Sequence, residues 1–284
     1  MSIEYIKPLN SGYWKSAVER VKFARWVATH LNRERLFVAF SGGKDSVVLY
    51  DIVKKAAEEE GIPMNEYAYV FYNLTTVDPP ELVHFIKSEY PDVEILKPRF
   101  SMWQLIERAA VPPLPLWRYC CRELKECTVK GEVLLTGVRW AESSRRRAKR
   151  GVYEVGRNAS SKAERIKVND NDEMREVAET CTLYKQHFFN PIVDWEDNEI
   201  WDYIKTQKLK YCKLYDEGAV RLGCIGCPMA SIKQREAQFK KYPKYKDAYI
   251  RAFDKMLKAH PDKKYNWANG QEVFDWWLYG GKKE

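Results

Sequence analysis

The apolar positions of this 284-residue chain follow two alternating periods. Residues 14–31 bring Val18, Val21, Ala24, Val27 and Ala28 close to one face at helical spacing, which predicts an amphipathic helix. Residues 36–40 (LFVAF) are a short apolar run of strand formers that leads straight into Ser-Gly-Gly. A helix is predicted over 45–60, stopping at Gly61. Strands are predicted at 67–72, 93–96 and 132–136, and helices at 81–90 and 102–109, with a loop over 73–80. This alternation predicts an α/β fold, a doubly wound parallel sheet with helices on both faces.

Over residues 139–179 the pattern dissolves. The segment is basic first (SSRRRAKRG), acidic later (NDNDEMRE) and poor in large apolar residues, so a mobile excursion is expected. Order returns at 188–192, followed by a helix over 197–206. Beyond Cys212 the chain is rich in Lys, Tyr and Trp, with helices predicted at 232–240, 245–259 and 270–278. The expected division is an α/β domain over 1–207 and a mainly helical C-terminal extension over 208–284.

Hydrophobic residues make up 45% of the chain, enough for a sizeable core, and charged residues 31%. No apolar run approaches the roughly 20 residues of a membrane helix. The N-terminus, MSIEYIKPLN, lacks a basic segment followed by an apolar one, so a cytoplasmic protein without membrane association is expected. Seven cysteines without a secretory signal argue for metal binding or reactive thiols rather than a disulfide framework. The net charge of +8 fits either simple solubility or a polyanionic partner, and charge alone does not choose.

The junction SGGKDS (residues 41–46) has the parts of an anion site. Gly42 and Gly43 let the backbone approach a phosphate closely. The new helix offers free N–H groups and the positive end of its dipole. Ser41 and Ser46 add hydroxyls, and Lys44 a mobile cation. A Walker A loop spaces its glycines differently, with four residues between them and the lysine directly after the second. Gly137, Val138 and Arg139 follow a predicted strand, where open α/β sheets bind ligands. Arg139, Arg145 and Arg146 have guanidinium forks matched to phosphate or sulfate oxygens, and Glu142 and Ser143 suit an orienting role. Asp78, before two prolines, reads as a turn residue, and Asp194, Trp195 and Trp201 as structural.

Cys120-Cys121 and Cys224-Ile225-Gly226-Cys227 form a second constellation. A Cys-x-x-Cys turn brings two sulfurs together, and a second pair completes four thiolates, as zinc or iron–sulfur sites require. The plain alternative is four unligated core thiols. Cys127, Cys181 and Cys212 read as packed residues. In the tail, Lys240, Lys241, Lys244, Lys246 and Arg251 alternate with Tyr242, Tyr245 and Tyr249, and Trp267, Trp276 and Trp277 follow. Such a mixture suits either nucleic-acid binding or a helical cap with buried aromatics.

SGGKDS resembles the PP-loop of the ATP pyrophosphatases and the related sulfonucleotide reductases. WRYCCRELK (117–125), TGVRWAESSRR (136–146) and NPIVDWEDNEIWDYI (190–204) bring the resemblance nearer the phosphoadenosine-phosphosulfate reductase-like branch, over roughly residues 30–230. It is nearest in pattern to the Dnd- and Ssp-type DNA phosphorothioation ATP pyrophosphatases. The resemblance implies a Rossmann-like adenine nucleotide alpha hydrolase fold, with the PP-loop in the 1–207 domain. It assigns nucleotide binding to Ser41, Gly42, Gly43, Lys44, Asp45, Ser46, Gly137, Arg139 and Arg145, and catalysis to Lys44, Asp45 and Arg139.

Adjacent cysteines with a distant Cys-x-x-Cys resemble the [4Fe–4S] ligands of assimilatory adenylylsulfate reductases and Dnd-type enzymes. This implies a cluster on Cys120, Cys121, Cys224 and Cys227, with zinc second. The implied activity is an ATP-dependent adenylation with release of pyrophosphate, using ATP with Mg2+. The implied acceptor is nucleic acid: DNA phosphorothioation first, tRNA thiolation next. A cysteine desulfurase or other sulfur donor protein is the implied partner, and an oligomer is compatible. The alternatives are a sulfonucleotide reductase and a nucleotide- and cluster-binding accessory protein. Sulfonucleotide reductases resemble one another in a C-terminal nucleophilic cysteine, and here no cysteine follows Cys227.

Overall fold

The computed structural model describes residues 16–125, 129, 132–156 and 186–280. By its contacts the chain divides into two compact units. The first comprises residues 1–72, 85–94 and 129–218, the second residues 73–84, 95–128 and 219–284. The division expected near residue 207 is corrected. Residues 73–84 and 95–128 share a core with the C-terminal helices, because Val77, Ile106, Tyr119 and Leu124 bury against Tyr249, Phe253 and Trp277.

In the first unit, α1 (Ala17–His30) starts at Ser16, whose hydroxyl accepts from the Glu19 N–H at 3.2 Å. Val21, Ala24, Val27 and Ala28 form its buried face, as their spacing predicts. Buried Arg20 makes a two-pronged pair with Asp194 at 2.6 and 2.7 Å and donates to the Pro191 carbonyl at 2.7 Å. Asp194 is therefore a structural anchor for α1.

Strand β1 (Leu36–Ala39) lies between β2 (Ala68–Asn73) and β4 (Val133–Leu135), parallel to both. α2 (Lys44–Glu59) follows β1, and a one-turn helix α3 (Met64–Tyr67) leads into β2. α4 (Pro80–Glu89) precedes β3 (Glu94–Leu96). Strand β6 (Gln186–Phe189) pairs parallel with β4. The six-stranded order is β3-β2-β1-β4-β6-β5. Chain order reverses at β1, the switch point beside which doubly wound sheets place their ligands.

Residues 139–156 correct the expected excursion. They form a 3-10 turn (Trp140–Glu142), helix α7 (Ser144–Lys149) and strand β5 (Tyr153–Gly156), antiparallel to β6. The sheet is thus mostly, not wholly, parallel. Few residues hold this edge, which is why periodicity missed it. The Tyr153 ring stacks on Phe189 at 4.4 Å, and the Tyr153 hydroxyl pairs with His187 Nδ1 at 2.8 Å. Buried Glu154 accepts from Arg150 and the Gly151 N–H, both at 3.0 Å, and from Asn190 at 3.1 Å. The rest of the expected excursion, residues 157–179, lies outside the described residues, as do Cys127 and Cys181. Helix α8 (Asp197–Thr206) closes this unit's α/β pattern.

The second unit is helical. α5 (Met102–Ala109) and α9 (Ile232–Lys241) each open with a capping box, Ser101 with Gln104 and Ser231 with Gln234. The short α6 (Tyr119–Leu124) follows a proline-rich stretch, and α10 (Pro243–Ala259) and α11 (Gly270–Tyr279) complete the set. Their core is aromatic: Phe239, Tyr249, Phe253, Phe274 and Trp277 meet edge-on or tilted, with centroids 4.8–6.2 Å apart. No helix among the described residues is long and apolar enough to cross a membrane.

Candidate functional site

The first unit gathers its charged groups where β1 and β4 end. After Phe40 the chain turns through Gly42 at φ +69°, a left-handed conformation that favours glycine. Gly43 caps α2 with extended backbone and offers no side chain, so the Asp45 and Ser46 N–H groups in the first turn of α2 stay available to an anion. The Ser41 hydroxyl donates to Ser46 Oγ at 3.2 Å, and Ser46 Oγ donates to the Gly43 carbonyl at 2.9 Å. The loop is thus braced internally.

Lys44 is buried, and its ammonium reaches Asp197 Oδ1 at 2.5 Å and stands 3.6 Å from Asp45 Oδ1. Arg139, 1% exposed, is held on every side. Its Nε donates to Asp45 Oδ1 at 2.6 Å, Nη2 to Asp197 Oδ1 at 2.5 Å and Nη1 to the Trp195 carbonyl at 2.9 Å. Two cations and two carboxylates therefore close into one set. The Lys44 and Arg139 hydrogen bonds hold the Asp197 carboxyl below the usual carboxylate range, against a smaller opposing effect of burial.

Gly137 makes this closure possible. A Cβ there would lie 3.1 Å from the Asp45 carbonyl carbon and 3.2 Å from its oxygen. A side chain there would push the end of β4 a few tenths of an ångström from the first turn of α2. Tyr215 completes the loop, its hydroxyl accepting from the Lys44 N–H at 2.9 Å.

The structure thus brings Ser41, Gly42, Gly43, Lys44, Asp45, Ser46, Gly137 and Arg139 together. Arg139 was expected to pair directly with phosphate oxygens; its guanidinium instead pairs with protein oxygens and orders the carboxylates. Arg146 pairs with Glu142, and the Arg145 side chain lies outside the described set. Asp197 and Tyr215 carry no signal in the sequence pattern. Asp197 reads as an ordinary acidic residue in a helix first turn, and Tyr215 lies 171 residues from the group it touches.

The second unit holds the cysteines. Cys120 and Cys121 lie on α6, and Cys224 and Cys227 on the turn before α9. The turn is pinned on several sides. The Ile225 N–H donates to the Val77 carbonyl at 2.8 Å, the Tyr249 hydroxyl to the Ile225 carbonyl at 2.9 Å, and the Gly226 N–H to Gln238 Oε1 at 2.9 Å. Gly226 itself sits at φ +72°. The Cys224 thiol donates to Thr75 Oγ1 at 3.5 Å.

The thiols sense one another. A hydrogen bond that the Cys120 thiol donates to Cys121, then burial and the nearby Cys121 and Cys224, push the Cys120 thiol up. Burial pushes Cys224 up, opposed by the Lys125 ammonium, while Asp78 and Cys227 add to the rise. Cys224, followed by Asp78 and Cys121, in turn raises Lys125. Asp78 also accepts from the Thr75 N–H at 2.6 Å, so it is the turn residue expected.

Among the described residues no three Cys, His, Asp or Glu side chains close around a single ion. The donor set nevertheless suits a multi-iron group, which spreads four cysteines over several metal atoms rather than one. All-thiol donors, mutual repulsion that a cationic group would relieve, and the neighbouring Lys125 fit such a cluster.

Residues 35–230 match the model of the phosphoadenosine phosphosulfate reductase domain. The chain belongs to that family. Among curated proteins it is 26% identical, over 220 residues, to the adenosine 5'-phosphosulfate reductase of Shouchella clausii, covering 75% of this chain and 79% of that one. It is 23% identical over 259 residues to an uncharacterised protein of Methanocaldococcus jannaschii, covering 88% of this chain but 45% of that longer one. Among solved structures, phosphoadenylyl-sulfate reductase from Candida auris aligns over 79% of this chain and 96% of its own, with 16% identity and a TM-score of 0.47. The U34-tRNA thiolase NcsA of Methanococcus maripaludis, solved with its [4Fe-4S] cluster, aligns over 86% of this chain and 79% of its own, with 12% identity and a TM-score of 0.33. Both scores are too low to bear on activity. The family's match spans both the SGGKDS loop and the four cysteines.

Proposed function

We propose that this family member is a PP-loop enzyme of sulfur metabolism that binds ATP on residues 41–46, adenylates an acceptor and releases pyrophosphate. The observation that carries this reading is the closed set of Lys44, Asp45, Arg139 and Asp197 beside the open N-terminus of α2. In the proposed step an acceptor oxygen attacks the α-phosphorus of ATP. The bond between that phosphorus and the α–β bridging oxygen breaks, and pyrophosphate leaves with both bonding electrons. The free N–H groups of α2 and the left-handed turn at Gly42 suit the leaving pyrophosphate. Lys44 supplies a cation held by Asp197, and Arg139 holds the Asp45 and Asp197 carboxylates in place, where Mg2+ would accompany the nucleotide. Gly137 keeps the two strand ends close.

Cys120, Cys121, Cys224 and Cys227 would hold a [4Fe–4S] cluster, which supplies electron transfer or sulfur binding when present; zinc is the second choice. The acceptor in this reading is nucleic acid, DNA before tRNA, with sulfur delivered by a donor protein such as a cysteine desulfurase. A second reading is a sulfonucleotide reductase, which the names of the curated relatives favour. It needs a thiol nucleophile, and no cysteine follows Cys227 in this chain.

One experiment separates the two. Anaerobically purified protein is assayed for pyrophosphate release from ATP with and without DNA or tRNA, and for sulfite release from adenylylsulfate or its 3′-phosphorylated form. Pyrophosphate release that Lys44→Ala lowers by about 100-fold or more supports adenylation. Sulfite release without ATP cleavage overturns it.

A further inference from the structure

Both cysteine pairs are flanked by exposed apolar side chains. Leu116 and Trp117 precede Cys120, and Met229 and Ile232 follow Cys227. Leu116 is fully exposed and Trp117 is 63% exposed. Two residues separate Trp117 from Cys120, a reach of at most about 10 Å. Burying a tryptophan is favourable, so its display at the tip of an ordered loop needs another explanation.

The loop is anchored below its tip. Leu114 and Trp117 exchange backbone hydrogen bonds at 3.1 and 3.4 Å. Buried Trp277 donates from its indole to the Pro113 carbonyl at 2.7 Å, and the Tyr119 hydroxyl donates to the Val111 carbonyl at 3.0 Å. Pro112, Pro113 and Pro115 stiffen the backbone between them. The indole is therefore presented with little ordering left to lose on binding.

Its neighbours are cationic. A cleft of about 290 Å³ is lined by Leu116, Trp117, Arg118, Tyr119 and Arg122. Past the other end of α6 a second cleft of about 280 Å³ is lined in part by Lys97, Arg99 and Phe100. A six-residue helix rises only about 9 Å, so the two clefts are close neighbours. The one carboxylate lining either cleft, Glu123, pairs with Arg122 at 3.0 Å. Aromatic faces beside a cationic track fit a single-stranded polyanion with planar bases. The tail, by contrast, spends its aromatics internally: Tyr242 on Glu81, Tyr245 on the Asp78 carbonyl, and Tyr249 and Trp277 in the core.

We propose that this face binds a single-stranded segment of the nucleic-acid acceptor, with one base stacked on Trp117 and the backbone tracked by Arg118, Arg122, Lys97 and Arg99. The proposal rests on the nucleic-acid reading above and names its docking surface. It also puts the bound segment beside the four cysteines.

The test is fluorescence anisotropy with a labelled single-stranded RNA or DNA of roughly 12 nucleotides, within the site sizes of single-strand binders, across a salt series. Trp117→Ala should weaken binding by about ten-fold or more, while Trp117→Phe keeps most of it. Arg118→Gln and Lys97→Gln should each flatten the plot of log affinity against log salt by about 0.7. Melting temperature and acceptor-free pyrophosphate release should not change in the Trp117 variants, because the ring is exposed. Wild-type binding that these substitutions leave intact overturns the docking surface alone. Loss in Trp117→Ala of binding to a sulfur donor protein, with oligonucleotide binding unchanged, overturns it in favour of a protein partner. Wild-type protein that binds no oligonucleotide yet releases pyrophosphate with a small-molecule acceptor overturns both readings.

Discussion

Gly226 offers a sharp test of how the cysteine turn is held. Its left-handed φ of +72° costs an alanine about 1–2 kcal/mol. An added Cβ would also stand 2.7 Å from Phe239 Cζ and 3.1 Å from both Tyr249 and Trp277. Those rings belong to a packed aromatic core, so relief requires them to move, and overpacking of this kind costs about 1–3 kcal/mol. Gly226→Ala should therefore destabilise the protein by roughly 2–5 kcal/mol, which corresponds to a melting temperature lower by about 5–15 °C. Shifting the turn also displaces Cys224 and Cys227, so iron retained after anaerobic reconstitution should fall. A double-mutant cycle with Phe239→Leu isolates the steric part, because leucine withdraws the atom the new methyl meets first. The double variant should be less damaged than the sum of the singles by about 1 kcal/mol or more. Wild-type melting and iron content in Gly226→Ala, or strict additivity in the cycle, would refute the reasoning.

Three further predictions concern other groups. Asp197→Asn should cost under about 1 kcal/mol at pH 7, because the carboxylate is largely exposed. Since the folded state lowers its pKa, the contribution is complete above the ordinary carboxylate value of roughly 4 and disappears as pH falls through the lowered one. Urea unfolding of wild type and variant should therefore converge in acid, and a gap that widens there contradicts the assignment. Arg20→Ala should cost about 1–3 kcal/mol by urea unfolding, since it strands the Pro191 carbonyl and Asp194; a change below ~0.5 kcal/mol counts against the anchor. Cys224→Ser should lower bound iron after anaerobic reconstitution, whereas Cys212→Ser, in the other unit, should leave it unchanged; equal loss in both sinks the ligand assignment.

The legible parts of the fold are those where local and tertiary preferences agree. The helices over 102–109 and 197–206 match their predicted bounds because strong caps and a clear apolar stripe set them. The β1–loop–α2 junction is legible because an apolar strand run, two glycines and an amphipathic helix meet there. β5 was not legible, since one stacked tyrosine and a buried glutamate hold it rather than an alternating pattern. α6 hides for another reason: six residues after a proline run are too few to show a period. Asp197 and Tyr215 escape because their importance lies only in what the fold brings near them. The domain boundary failed for the same cause, as composition shifts after Cys212 while the core reaches back to Val77.

That reach back has a temporal consequence. The helical unit is a non-contiguous assembly of three chain stretches, and its last wall, Phe274, Trp277 and Leu278, is synthesised after the other two. Until those residues leave the ribosome, Val77, Ile106, Tyr119 and Cys120 lack the apolar partners that the C-terminal helices supply. Contacts that close loops this long are slow to form, and the exposed intermediate is prone to aggregate. A nascent chain therefore carries the Cys120–Cys121 pair without the cover of the C-terminal helices until residue 278 has emerged.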